Sequence, residues 1–557
     1  MTLPRLSRDT LARLPDAVRR PAFDAGCIAT GIVHLGIGAF ARAHLACYTQ
    51  PLLADDPSWG ILGVSLRSAA TRDALAPQDW LYTCADRDGG GERLTAMAAL
   101  TGVLVAPEDP GAVVARLADP AVRIVTVSVT EKGYHRVAAQ GALDEDDVSI
   151  RHDLAHPDMP RTMPGLLVAA IRARLGAGVP PFTVLCLDNL PENGDSTRRV
   201  VARFAEVIDP TLARRVADDV AFPNCMVDRI VPATRDADRQ RIDALLGVHD
   251  AWPVVCEPFS QWVIEDRFPL GRPPWERTGA QLVDDVRPYE TMKLRLLNGS
   301  HSCIAYLGQL AGWQTVAEAI AEPALASFID ALMQEVVTTL HMPASVDLTA
   351  YRRAMLARFA NPALHHRTAQ IAMDGSQKLP QRLFATAQDR LAQGLGAPCI
   401  ALGVAAWLRF LHERSDDGSV LIVDDPKKET LLRAVRATRN PHSLCEAIFA
   451  MPDIVPLRLA SAKRFRDEVL ARLQELTEYG VRKTLSRINQ GEKCHDETPN
   501  ETDRDSRAVR GGIAGDGAGG PRRGLQPADR RDTQGRSIAC CGAGERALAG
   551  REHHRRR

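Results

Sequence analysis

Through the first half of the chain, short β-branched apolar runs alternate with longer stretches in which apolar side chains recur every three or four positions. The runs at 31–35, 60–66, 123–129 and 182–187 read as strands, and the intervening periodicity predicts helices over 43–53, 110–118 and 163–175. Strands that alternate with helical patterns belong to βαβ units around a parallel sheet, so the pattern predicts a doubly wound, Rossmann-type α/β domain over 1–284. From there the β-branched runs fade, and Leu/Ala-rich periodic segments dominate through Arg472, which predicts a mostly α-helical domain over 285–484. The stretch EDRFPLGRPPWERTGAQLVDD, where Pro269, Gly271, Pro273 and Pro274 interrupt regular structure, is the expected connection. Over 485–557 the periodicity is lost to Arg, Gly and Asp, as in GGIAGDGAGGPRRGLQPADRRDTQGR, and a disordered tail is expected.

Composition agrees with two globular domains. At 557 residues, 45% hydrophobic and 25% charged, the chain exceeds one ordinary core. Lys plus Arg equals Asp plus Glu at 69 each, so no global field draws it to nucleic acid or anionic lipid. The N-terminus lacks the unbroken apolar segment of a signal peptide and no run of about eighteen apolar residues follows, so a cytoplasmic location with no membrane partner is expected. The 12 cysteines are scattered without a CxxC, which indicates neither a disulfide framework nor a zinc site. Thiols such as Cys186 in FTVLCLDN read as small buried hydrophobes.

Candidate chemistry begins at TGIVHLGIGAFARAH, where a strand runs into Gly36-Ile37-Gly38-Ala39-Phe40-Ala41, a GxGxxA form of the dinucleotide fingerprint. Gly36 would allow the tight turn, Gly38 would let backbone approach a pyrophosphate, and Ala41 would let helix and sheet pack closely at a phosphate-favouring helix N-terminus. The second strand ends GVSLRS without the acidic residue that commonly holds the ribose 2′-hydroxyl, so Ser65 and Arg67 leave NADP open beside NAD.

The densest polar cluster in an apolar helical pattern is YETMKLRLLNGSHSCIAYLG. On an unbroken α-helix, with Lys293 at zero, Glu290, Asn298 and His301 fall near about 60°, 140° and 80°, alongside Leu294 and Leu297. Polar groups sharing an arc with leucines line a pocket. A lysine buried there loses solvation of its charged form, which brings its pKa toward working pH and suits it to general acid/base work, while amides bind a developing alkoxide. Asn189 in VLCLDNLPENG follows a strand's C-terminal end, where ligands of α/β sheets bind, and Asp228 in AFPNCMVDRIVP follows another apolar run. Arg367, Lys378 and Arg382 cluster in HHRTAQIAMDGSQKLPQR as candidate partners for a substrate carboxylate. Tyr289 and Lys293 also satisfy the YxxxK spacing of short-chain dehydrogenases, but that motif belongs inside a single Rossmann domain and here opens the helical half.

GIGAFARAH, VSVTEKGYH, LDNLPENG, FPNCMVDRIVP, EPFSQWVIEDRF and KLRLLNGSH together resemble the polyol-specific long-chain dehydrogenases, also called the mannitol dehydrogenase family, over about residues 28 to 480. The resemblance implies that Lys293 is the general acid/base and that Asn189 and Asn298 form an oxyanion hole. It further implies that His301 and Asp228 orient substrate hydroxyls, that Glu290 passes protons to solvent, and that Glu131 and Lys132 face the cofactor. It implies no metal, since lysine and two amides do the polarising that zinc does elsewhere. NPALHHRTAQIAMDGSQKLPQR resembles most the members that act on a hexuronate: Lys378 in DGSxK matches a substrate contact, and Gln370 stands where mannitol-oxidising members tend to carry Arg. The implied activity is NAD-dependent interconversion of a keto and a hydroxyl group on an open-chain sugar acid, with a neutral polyol as the alternative substrate, by a monomer or small homo-oligomer.

Overall fold

Eleven strands form among the residues that this computed structural model describes, 3–137 and 141–490: β1 (Thr30–Leu35), β2 (Gly60–Ser65), β3 (Tyr82–Asp88), β4 (Gly91–Met97), β5 (Leu100–Val105), β6 (Ile124–Val127), β7 (Thr183–Cys186), β8 (Cys225–Asp228), β9 (Val254–Cys256), β10 (Gln261–Glu265) and β11 (Gln281–Val283). Five of them pair in the order β5-β2-β1-β6-β7, all parallel. The chain winds outward from β1 to one side and returns to build the other from β6, so a crevice opens where the order reverses, at the C-terminal ends of β1 and β6. Both faces are covered, which is why these strands are apolar at successive positions. Val33, Leu35, Val125 and Val127 share a core with the helices Pro110–Ala118, Met163–Gly176 and Asn193–Ile208. On the opposite face Ile32, Ile124 and Leu185 pack with Trp262 and Trp275.

The four expected strands lie within two residues of their predicted ends. Two expected helices appear as Pro110–Ala118 and Met163–Gly176, started by Asp109 and Thr162, whose side chains accept from the Ala112 and Gly165 N–H groups. The helix expected over 43–53 is broken instead into Ala39–Ala43, Leu45–Thr49 and a 3-10 turn, Gln50–Ala54. At the break His44 leaves helical geometry and its buried ring stacks on Phe40 at 4.9 Å and meets the edge of Trp262 at 5.4 Å. The proline-rich stretch is not a linker: Trp275 is buried with its indole N–H donating to Thr49, and β11 pairs in parallel with β10. Its prolines punctuate the approach to a strand.

After β11 every element among the described residues is helical. The helices Gly299–Ala311, Pro398–Phe410 and Lys463–Gln490 contribute much of one large core. Helical structure continues beyond the point where the tail was expected, because Leu476, Val481 and Leu485 keep an apolar stripe buried in that core. The remainder of the expected tail, 491–557, lies outside the described residues. No helix among those described is long and apolar enough to cross a membrane.

Candidate active site

At the reversal of strand order lies a cleft of 610 Å³ whose walls include Gly36, Ile37, Gly38, Arg67, Lys132 and Arg161. Gly36 sits at φ +95°, and a Cβ there would lie 2.0 Å from the Ser128 carbonyl oxygen, so only glycine makes this turn. Gly38 is exposed, and a Cβ on it would meet nothing nearer than 3.8 Å, which leaves its backbone open to a ligand. His34, at the end of β1, hydrogen-bonds through its ring to Thr126 Oγ1 at 2.8 Å and Ser128 Oγ at 2.9 Å. Burial pushes its pKa down to about 4, so the neutral ring staples the glycine turn to β6. Ala39 and Phe40 open the helix expected after the turn, and that helix has only 5 residues. Arg67 is exposed at the end of β2 and its guanidinium reaches Thr130 Oγ1 at 3.4 Å. Glu131 and Lys132 are exposed in the turn Glu131–Tyr134, with Lys132 on the cleft wall. A turn that excludes Cβ, an open backbone at Gly38 and three surrounding cations fit the pyrophosphate of a dinucleotide.

The polar cluster assembles beside this cleft. Asn193 holds the loop after β7: its Nδ2 donates to the carbonyls of Cys186, Asp188 and Cys225 and its Oδ1 accepts from the Cys225 N–H. Asp188 accepts from the Val129 N–H at 2.8 Å and from the Tyr134 hydroxyl, and burial raises its carboxyl to about 6 against those bonds. The intervening Asn189 therefore projects from a loop tied to β6, β7 and β8.

Lys293 is 9% exposed, and its ammonium donates to Asn189 Oδ1 at 2.7 Å and to the Val227 carbonyl. Burial lowers its pKa, opposed by the nearby charge of Asp228. An ammonium has only donors, so it takes the amide oxygen and leaves the Asn189 Nδ2 hydrogens for another acceptor.

The unbroken helix assumed for this segment is not what forms. Between the α-helices Arg287–Met292 and Gly299–Ala311 the chain makes a π-helical turn, Lys293–Asn298. Residues five apart are hydrogen-bonded neighbours in a π turn, so Lys293 and Asn298, well separated on an α-helix, come to one side. A second π turn, Pro380–Phe384, packs against the first. Pro380 lacks the N–H that would continue the regular ladder. From this turn the Arg382 guanidinium donates to Ser302 Oγ at 3.2 Å and to the Asn298 carbonyl at 3.4 Å. No carboxylate pairs with it among the described residues, and burial lowers its pKa.

His301 is buried against Phe359 at 4.8 Å and His366 at 5.2 Å, and burial, with neighbouring cations, pushes its pKa well down, so the ring is neutral. Glu290, one turn before the lysine, has its carboxyl raised to about 7 by burial. Asp228, at the end of β8, accepts at both oxygens from Arg358, at 2.7 and 3.1 Å, and the same guanidinium binds Glu257 at 2.9 and 2.7 Å. Neither Arg358 nor Glu257 was singled out in the sequence: Arg358 is one of three arginines in LTAYRRAMLARF, and nothing local marks it or Glu257 as buried. Lys378 donates to the Met373 carbonyl at 2.7 Å, and burial and then the charge of Arg382 lower its pKa. Arg367 and Gln370 are exposed around the short helix Thr368–Ile371, and the Arg367 side chain bonds to none of these groups. Tyr289 is buried in the helical core.

Comparison with known proteins identifies the family. The mannitol dehydrogenase Rossmann domain model matches residues 30–277 and the mannitol dehydrogenase C-terminal domain model matches 285–477. The chain is 42% identical over 478 residues to a D-mannonate oxidoreductase of Escherichia coli, covering 85% of this chain and 98% of that one. It is 38% identical over 483 residues to a mannitol 2-dehydrogenase of Aspergillus terreus, covering 84% of this chain and 95% of that one. Among solved structures, Pseudomonas fluorescens mannitol 2-dehydrogenase in ternary complex with NAD and D-mannitol superposes with a TM-score of 0.75 at 36% identity, covering 87% of this chain and all of that one. The chain belongs to the mannitol dehydrogenase family of oxidoreductases.

Proposed function

We propose that this protein reduces D-fructuronate to D-mannonate reversibly with NAD(H). The observation that carries the reading is the buried Lys293 bonded to Asn189, with the Arg382 guanidinium, to which no carboxylate bonds among the described residues, at the Asn298 carbonyl. When bound in the glycine cleft, the reduced dinucleotide supplies the hydride for the ketone carbon. Asn189 is held with its amide hydrogens outward, so it and Asn298 donate to the substrate oxygen as negative charge develops there. Lys293 gives that oxygen its proton and takes it back in oxidation, and Glu290 relays protons between the lysine and solvent. His301 and Asp228 orient substrate hydroxyls, the latter held in place by Arg358.

The uronate carboxylate goes to Arg382, assisted by Lys378. A guanidinium already half desolvated and without an anionic partner gains most from a planar carboxylate. Absence of an acidic residue at the end of β2 leaves NADPH as the cofactor to compare with NADH. The test is consumption of NADH with D-fructuronate against D-fructose, with NADPH controls. Preference for fructuronate, abolished in Lys293→Ala and retained in Tyr289→Phe, is the expected result. Preference for fructose would make the protein a neutral polyol dehydrogenase and remove the role given to Arg382.

A further inference from the structure

Three cysteines far apart in the sequence meet between β3, β9 and the helix Leu45–Thr49. Cys84 on β3 and Cys256 on β9 have their sulfurs 3.5 Å apart, and Cys47, from the helix Leu45–Thr49, lies 3.7 Å from Cys84. Asp86, two residues along β3, places Oδ1 3.3 Å from the Cys256 sulfur. The ligand atoms of Cys84, Asp86 and Cys256 all lie within 4.8 Å of one another. A cavity of 510 Å³ reaches the group, with Cys47, Cys84, Asp86 and Arg229 on its wall.

The spacing discriminates between a disulfide and a metal. Cys84 pairs with Val254, and Asp86 pairs with Cys256, so the two cysteines are two residues out of register on adjacent parallel strands. That offset separates their Cα atoms by about 8 Å, beyond the roughly 7 Å a disulfide spans. A tetrahedral zinc with bonds of about 2.3 Å to sulfur and 2.0 Å to oxygen instead asks for ligand separations of about 3.8 Å between sulfurs and 3.5 Å from sulfur to oxygen, near the distances found. Arg229, ion-paired with Asp86, supplies the remaining charge. A divalent ion and one guanidinium together balance two thiolates and one carboxylate, so the loaded site is neutral in a region that buries it.

We propose that Cys84, Cys256 and Asp86 form a site for a thiophilic divalent ion of the zinc and cadmium class, its fourth position open to the cavity. Each thiol gives its proton to solvent as it binds, and soft thiolates select such ions over magnesium or calcium. Its ligands are not among the groups bonded to Lys293, although Arg229 and Cys256 stand next in sequence to Asp228 and Glu257.

Cadmium is the probe. The full chain, with Cys27, Cys494, Cys540 and Cys541 replaced by serine, is incubated with cadmium and desalted, and both the bound metal and the ultraviolet thiolate-to-cadmium absorption are measured. Retention of about one cadmium per chain is expected, lost at least about tenfold in affinity in Cys256→Ser, while Cys47→Ala retains the metal with its thiolate absorption unchanged. Asp86→Asn, nearly isosteric and on the cavity wall, also weakens retention and serves where serine at buried Cys256 prevents folding. Retention unchanged by Cys256→Ser and Asp86→Asn overturns the proposal. No cadmium retained by the parent chain, or a Cys47–Cys84 disulfide found in its place, overturns it equally.

Discussion

At the scale of single residues, the site rests on one exchange of donors and acceptors. Lys293 cannot accept a hydrogen bond, so its contact with Asn189 fixes which end of that amide faces the substrate. Removing either Asn189 or Asn298 by alanine therefore costs on the order of 3 kcal/mol in the transition state, read as a fall in kcat of about a hundredfold with a smaller change in KM. The protonation of Lys293 sets the direction of the pH dependence. Reduction needs the ammonium and declines as pH rises through the depressed lysine pKa, whereas oxidation needs the free amine and rises over the same range. Parallel pH profiles for the two directions would contradict this assignment. Glu290 titrates at about 7, so Glu290→Gln should remove an ionisation near that pH from the profile and leave the lysine's ionisation in place.

At the scale of elements, two departures from regular structure build the site. The glycine turn after β1 needs a positive φ and has no room for a Cβ, so Gly36→Ala should abolish dinucleotide binding, measured by quenching of NADH fluorescence, while the far-ultraviolet circular dichroism is preserved. Unimpaired binding would mean that the cofactor lies elsewhere. The π turn at Lys293–Asn298 is the second departure. It converts a spacing of five residues into adjacency, and the neighbouring turn at Pro380 brings Arg382 against its end.

At the scale of the whole molecule, Arg358 joins the two halves. It rises from a helix of the C-terminal half and is held by Asp228 after β8 and Glu257 after β9, all three buried. Arg358→Met would leave two carboxylates buried without a cation, and breaking such a pair costs about 3–5 kcal/mol, seen as a lowered denaturation midpoint together with loss of activity. A variant as stable as the parent would show that the carboxylates reach water. Stability should also respond to pH through Glu290. Its folded pKa of about 7 exceeds the ordinary 4.5, so the stability it confers is complete below about 4.5 and is lost as pH rises through 7. The thermal midpoint of Glu290→Gln should accordingly gain on that of the parent as pH rises across this interval.

Strand positions, the glycine turn and the switch to helices after residue 285 were legible in the sequence, because a sheet buried on both faces demands unbroken apolar runs and helices demand a period near 3.6. So was the placement of Lys293, Asn298 and His301 on one segment, but not the π turn that alters their spacing around it. The strands β3, β4, β5, β8, β9, β10 and β11 were not: β3 and β4 mix charged residues with apolar ones, β8, β9 and β11 have only three or four residues, and β5, β8 and β9 pair with partners distant along the chain. The sequence by itself determined which chemical groups are present and the local backbone that carries each. Only the tertiary structure decided that Asn189 meets Lys293, that Arg358 and not an exposed Arg367 enters the buried ion network, that Arg382 bonds to Ser302 and the Asn298 carbonyl, and that three scattered cysteines converge. The physical reason is that burial sets the charge and partner of each group, and burial arises from contacts between segments whose separation along the chain no local pattern records.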